Sequence, residues 1–222
     1  MRELEGVRVR LLPMERSHAE ALFEAGNDPE IWRYLPLKVE KPEDMARIVD
    51  GALKAKETGM EFPFVVYDKE LNAIVGSTRL LGIMPAHRNF EIGWTWYHPK
   101  VWRTRVNTEC KYLLLRWGFE EFRAVRIQLK TDVRNERSNR AIRRLGAVHE
   151  GVLRQDRILH DGHIRNANLY SIIDKEWPEV KKRLEGFLGG APVSMHNLTL
   201  DCGGGKISEL KINTIKNKYK EE

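Results

Sequence analysis

The stretch "GVRVRLLP", residues 6–13, alternates apolar and basic positions up to a proline, the period of a half-buried strand. From Ser17 the period changes. Ala19, Leu22, Phe23 and Ala25, with Gly26 behind them, predict a short helix ending at a glycine. "KPEDMARIVDGALKAKETG" sets Pro42 at a helix start, Glu43 and Asp44 in its first turn, and Met45, Ile48, Val49, Ala52 and Leu53 on one face. Three runs rich in β-branched and aromatic residues follow, "EFPFVVYD", "AIVGSTRLLGI" and "NFEIGWTWYH". The turn chemistry of "KELN" and "MPAHR" divides them and predicts an antiparallel meander.

A long helix is then expected from Val106. Val106, Cys110, Leu113 and Trp117 fall at helical spacing, as do Tyr112, Leu115, Phe119 and Phe122, so a broad apolar face turns to the sheet. "AVRIQLKTD" reads as a strand, "NERSNRAIRRLGA" as a helix, "ILHDGHIRNANLYSIID" as a hairpin, and "EWPEVKKRLEGFL" as a last helix. This interleaving predicts an α/β sheet with helices on both faces.

After Leu188 the texture changes to glycine clusters and scattered lysines. We expect one domain over residues 1–188 and an appendage over 189–222, in which "KISELKINTI" has the composition of an edge strand, a disordered tail or an expression remnant. The 222 residues, 41% of them hydrophobic, suffice for one ordinary core. The charge of +6 is the small excess of 38 basic over 32 acidic residues. That favours a polyanionic ligand slightly and disfavours a dedicated nucleic-acid binder, because the two signs are interleaved and no aromatic RNA-binding signature is present. Cys110 in a helix and Cys202 in the appendage suggest neither a disulfide nor a metal site. No h-region of signal-peptide length opens the chain, and no run of about 18 apolar residues occurs. The expectation is a soluble, cytoplasmic protein that does not enter a membrane.

The candidate chemistry begins at "HPKVWRTRVNTEC". A helix start offers backbone N–H groups without intrahelical partners and the positive end of the dipole, which is an anion site. Arg103 and Arg105 stand just ahead of it, either as donors to a phosphate or as solvated loop charges. In "TDVRNERSNRAIRRLGAVHEGVLR", Asn135 is a favoured N-cap able to accept the Ser138 amide, and Gly146 suits the left-handed position after the helix. His160 and His163 flank a "HDGH" turn and read as exposed hairpin residues. Trp94, Trp96 and Trp102 read as core and cleft packing.

"NFEIGWTWYHPKVWRTRVNTE", "NERSNRAIRRLGAVHEGVLR" and "LYSIIDKEW", in this order and spacing, together resemble the GNAT superfamily of acyl-CoA-dependent N-acetyltransferases, closest to its RimJ/RimL-like branch. The resemblance covers about residues 6–187. It implies a mixed, mostly antiparallel central sheet that splays between "NFEIGWTWYH" and "AVRIQLKTD", the fourth and fifth main strands, with acetyl-CoA wedged in the gap as cosubstrate and no metal. Pantetheine would bond to backbone near Trp96 and Tyr97, and pyrophosphate would sit on Arg103, Thr104, Arg105, Val106, Asn107 and Thr108. The family's glycine-bearing phosphate loop is departed from, since the pattern laid on Trp102 to Asn107 puts Arg105 where glycine is expected.

The resemblance further places Ser138 near the departing sulfur, as general acid or thiolate stabiliser, and Asn135 on the pantetheine arm. A β-strand carboxylate, Glu91, is one candidate base, with pairing to an arginine such as Arg88 as its alternative role. Asp156, after the "EG" turn, is the other. The activity implied is acetyl transfer to a primary amine, of a peptide N-terminus or a small molecule, and a homodimer is compatible with it. The competing reading is a non-catalytic acyl-CoA-binding or interaction module on the same scaffold.

Overall fold

The computed structural model describes residues 3–190. The chain forms an eight-stranded sheet of β1 (Leu4–Glu5), β2 (Val9–Pro13), β3 (Phe62–Asp68), β4 (Ala73–Met84), β5 (Asn89–Tyr97), β6 (Arg126–Asp132), β7 (Val148–Ile158) and β8 (Ile164–Ile173). Its order is β1-β2-β3-β4-β5-β6-β8-β7. The neighbours run antiparallel except β5 and β6, which pair in parallel through Asn89, Phe90 and Glu91 against Arg126, Ile127 and Gln128. Beyond Glu91 the two strands separate, so the expected mixed sheet with its splay is present, between the strands expected to part.

Helices cover both faces. α1 (Ala19–Gly26) and α3 (Pro42–Glu57) bury Leu22, Met45 and Val49 with Val65, Trp32 and Trp96 on one side. On the other, α4 (Val106–Arg116), α5 (Glu136–Leu145) and α6 (Trp177–Phe187) close over Phe64, Leu80, Ile92 and Ile127. Between α1 and α3 lies a single-turn helix, α2 (Pro29–Trp32), begun by Asp28, whose carboxylate accepts the Glu30 amide.

Several boundaries differ from the sequence reading for identifiable reasons. The first strand is split, because the Gly6 amide bonds back to the Val9 carbonyl and turns the chain between β1 and β2. The C-terminal hairpin is longer than "ILHDGHIRNANLYSIID". Its first arm, β7, is an edge strand exposed along most of its length, so it lacks the apolar alternation that marks a strand. α4 does not present one apolar face. Residues 108–116 are buried throughout, Glu109, Lys111 and Arg116 included, because α4 is packed by the sheet, α6 and the β1–β2 end of the fold. The helix ends in a π-turn at Trp117–Glu121, where Gly118 lies so close to Phe90 and Ile127 that a Cβ would collide with both. Apart from Gly189 and Gly190, the appendage and Cys202 lie outside the described residues.

Candidate functional site

Two chain reversals shape the gap between β5 and β6. On the β5 side, His98 caps a short 3-10 turn at Pro99–Val101 by accepting the Lys100 amide. Trp102 folds back so that its indole N–H donates to the Tyr97 carbonyl at 2.8 Å. Arg103 then takes φ +61°, a left-handed conformation that a side chain disfavours, and Thr104 accepts the Val106 amide at 3.3 Å. α4 starts there, and the amides of Asn107 and Thr108 are among those that no helix can pair internally.

On the β6 side, Asp132 is fully buried and accepts the backbone and guanidinium of Arg134. Asn135 follows and caps α5 by accepting the Ser138 amide at 3.0 Å, as its spacing predicts. Gly146 ends the helix at φ +107°. Asn139 fixes this turn from beneath. Its amide donates to the carbonyls of Asp132 and Asn135, and its oxygen accepts from Asn168 and the Tyr170 hydroxyl.

The resulting cleft has a volume of about 510 Å³. Eight lysines and arginines line it against two carboxylates, Glu91 and Asp132, among the described residues. It is therefore a cation-rich slot between two strand edges, open at a helix start. It suits an elongated anion with an amide-bearing arm, whose amides can pair with the β5 edge that β6 leaves unmatched.

Most of the residues singled out in the sequence come together here. Glu91, Trp96, Tyr97, Arg103, Thr104, Asn107, Thr108, Asn135 and Ser138 all line the cleft. Arg105, Val106 and Asp156 do not. Arg105 turns away, donating to the Leu188 carbonyl at 3.1 Å and lying 3.4 Å from the buried Glu109. Val106 is fully buried in the core. Asp156 sits behind the wall, tied to Arg165 and Arg157. Burial works to raise the Asp156 carboxyl, but hydrogen bonding to Arg165 and the charges of Arg157, Arg165 and Lys130 outweigh it and hold the group below the usual carboxylate value. Glu91 pairs not with Arg88 but with Lys130 and Gln128, each 3.0 Å from Oε2.

Sequence reasoning missed Lys111, Thr95 and Arg137. Lys111 reaches from α4 to the Thr95 hydroxyl at 2.7 Å, and Thr95 lies 2.8 Å from the Thr78 hydroxyl. Burial pulls the Lys111 ammonium down to about 8. Its signal was its position three residues after Thr108, on the same helical face. Beside it the Cys110 thiol packs against the Tyr97 hydroxyl, and burial pushes Cys110 up to about 12, which makes it inert as a nucleophile at neutral pH. Trp94 occupies a left-handed bulge at φ +49° and is covered by Arg79.

The family profile of the acetyltransferase (GNAT) domain matches residues 8–148. The chain belongs to the GNAT acetyltransferases. It is 28% identical over 173 residues to the uncharacterized N-acetyltransferase YoaA of Bacillus subtilis, covering 77% of this chain and 96% of YoaA. Among solved structures, a T. thermophilus protein assigned provisionally as an acetyltransferase shares 38% identity at a TM-score of 0.77, covering 85% of this chain and 97% of the other. Mycobacterium smegmatis RimJ, solved with a CoA disulfide, matches in fold with TM-score 0.71 at 21% identity, over 84% of this chain and 91% of RimJ. The GNAT chain described here is thus an acetyl-CoA-dependent N-acetyltransferase with the splayed sheet of its family. No helix among the described residues is long and apolar enough to cross a membrane.

Proposed function

We propose that this GNAT enzyme acetylates the α-amino group of a peptide. The observation that carries the reading is the state of the one carboxylate available on β5. Glu91 shares a single oxygen with Lys130 and Gln128, and Asp156 stands outside the cleft. An α-amino group, with an ordinary value of about 7.7–8.0, keeps roughly a tenth of its molecules neutral at pH 7, a few hundred times the neutral fraction of a lysine amine at about 10.4. The α-amine asks least of Glu91, which needs to accept its proton only as the new bond forms. The acceptor enters past Tyr34, Leu35 and Pro36, which line the cleft from the loop between α2 and α3.

In this scheme the helix start at Asn107 and Thr108, with Thr104 and Arg103, receives the pyrophosphate, and the β5 edge at Trp96 and Tyr97 receives pantetheine. The amine attacks the thioester carbonyl and the carbon–sulfur bond breaks. Ser138, whose amide rather than hydroxyl serves the cap, donates to the departing sulfur. The test is CoA release with acetyl-CoA and three acceptors: a peptide with a free N-terminus, the same peptide N-blocked but carrying lysine, and a small polyamine. Turnover confined to the first supports the reading. Turnover confined to either of the others overturns the acceptor, and acetyl-CoA binding without release from any acceptor would favour a non-catalytic binding module.

A further inference from the structure

α4 retraces β5. Tyr97 packs against Cys110, Thr95 against Lys111, and Phe90 against Trp117, whose ring centroids are 5.8 Å apart. A ligand with its phosphates at the start of α4 and its arm running back along β5 toward Glu91 therefore passes Lys111 on the way. At 1.5 Å of rise per residue, Lys111 lies roughly 7 Å down the helix axis from Val106, and its Nζ is held on Thr95 of β5. The gap closes at the pairing of Glu91 with Gln128, so Lys111 stands between the phosphate end and the closed end. The reacting end of an extended arm belongs in that interval.

The environment of this lysine is unusual. Its residue is 5% exposed, its Nζ donates to the Thr95 hydroxyl, and no carboxylate pairs with it among the described residues. Taking an ammonium out of water without a counter-charge is expensive, and cores generally avoid it. Glu91 and Asp132, the cleft's carboxylates, are engaged by Lys130 and Arg134. Cys110 and Glu109 are its titratable neighbours on α4, and Tyr97 its neighbour on β5; Thr95 and Thr78 approach it from β5 and β4. The structure therefore holds a buried ammonium whose hydrogen bond is to a neutral hydroxyl.

We infer that Lys111, oriented by the Thr78–Thr95 hydroxyl pair, is a catalytic residue that faces the thioester and stabilises the negative charge the attack delivers to it. The inference rests on the acetyl-transfer reading. As the carbon–nitrogen bond forms, charge collects on the carbonyl oxygen; as the carbon–sulfur bond breaks, the electron pair passes to sulfur. The ammonium is attractive to both and acts without giving up its proton. The surplus proton of the acceptor amine leaves through Glu91 or water. Because the charge exists only during transfer, Lys111 acts on kcat rather than on cofactor affinity.

The experiment compares wild type with Lys111→Met, which keeps the length of the side chain and removes the charge. Thermal unfolding, calorimetric titration with acetyl-CoA, and kcat from neutral to alkaline pH are measured with a peptide acceptor. Lys111→Met should fold with unchanged or higher stability, since it removes an unpaired buried cation. It should bind acetyl-CoA near wild-type affinity and lose about a hundredfold in kcat, the scale of losing one preorganised donor. Wild-type kcat should fall at alkaline pH as the lysine deprotonates, and the variant should lack that limb. Wild-type kcat in Lys111→Met, an alkaline limb that survives in it, or a variant that fails to fold would each overturn the inference. Absence of wild-type turnover with the peptide alone would overturn only the acceptor, and the comparison is then made with whichever of the three acceptors releases CoA; absence with all three would overturn the acetyl-transfer reading along with the inference.

Discussion

The guanidinium of Arg137 lies over the indole of Trp102, 3.4 Å from the ring centroid, and so joins the start of α5 to the loop before α4 across the cleft. Trp102 is fixed in turn by its bond to the Tyr97 carbonyl. The stack therefore couples the two walls that the sheet lets diverge. Cation–π contacts run from about 0.5 to 2 kcal/mol with desolvation. A double-mutant cycle of Arg137→Ala and Trp102→Ala, read by denaturant unfolding, should give a coupling energy of about 1 kcal/mol. Additive losses would show the contact to be incidental.

Arg103 occupies the loop before α4 at φ +61°. A left-handed residue with a side chain costs about 1–2 kcal/mol, and glycine does not pay it. Arg103→Gly should raise stability by about 1 kcal/mol while weakening acetyl-CoA and flattening the salt dependence of its binding, since a cleft cation is lost. A variant no more stable than wild type would show that the loop's contacts compensate for the backbone.

Arg105 should behave in the opposite way. Its guanidinium serves Glu109 and the Leu188 carbonyl, so Arg105→Ala is expected to cost roughly 1–3 kcal/mol in unfolding free energy and little in acetyl-CoA affinity. The same substitution read by calorimetry decides between a donor to phosphate and a brace for the C-terminal helix. A drop in affinity without a drop in stability would return Arg105 to the phosphate.

These two arginines mark the limit of what the sequence discloses. The helix start, the Asn135 cap, the left-handed Gly146 and the meander are local features, set by residues within a few positions of one another, and they are legible as such. Which way an arginine at a helix start turns depends on Glu109 and on Leu188, 83 residues away. The burial of Lys111 likewise follows from how α6 and the sheet enclose α4, which no period of hydrophobic positions records. β7 escaped notice for the converse reason, because a solvated edge strand carries no apolar alternation.

Glu150 on β7 reaches across β8 to Arg126 on β6 and also accepts the Ser171 hydroxyl, tying three strands. The Arg126 hydrogen bond is the main cause that lowers its carboxyl to about 2. A value depressed in the folded state stabilises above the unfolded value near 4.3, and that contribution fades as pH falls from there toward about 2. The pair is about one-third exposed, so solvent screening holds its worth to about 1 kcal/mol or less. Glu150→Gln should narrow the stability difference from wild type between roughly pH 4 and 2. A constant difference across that range would place the stabilisation elsewhere.

Ser138 offers a separation of structure from chemistry that few capping positions allow. The α5 cap runs from the Ser138 backbone N–H to the Asn135 side chain, and an alanine at 138 retains that N–H. Asn135→Ala removes the acceptor and should cost about 1 kcal/mol of stability. Ser138→Ala should unfold with the wild type, yet release CoA more slowly if its hydroxyl serves the departing sulfur. Because that service is called on chiefly in the transition state, kcat should fall while the calorimetric affinity for acetyl-CoA holds. Its pH profile adds a second discriminant. The alkaline limb assigned to Lys111 should persist in Ser138→Ala, since the lysine is untouched, and the two substitutions should combine less than additively if both groups act on the same developing charge. Full turnover in Ser138→Ala would confine this residue to the helix cap and leave the sulfur to Lys111.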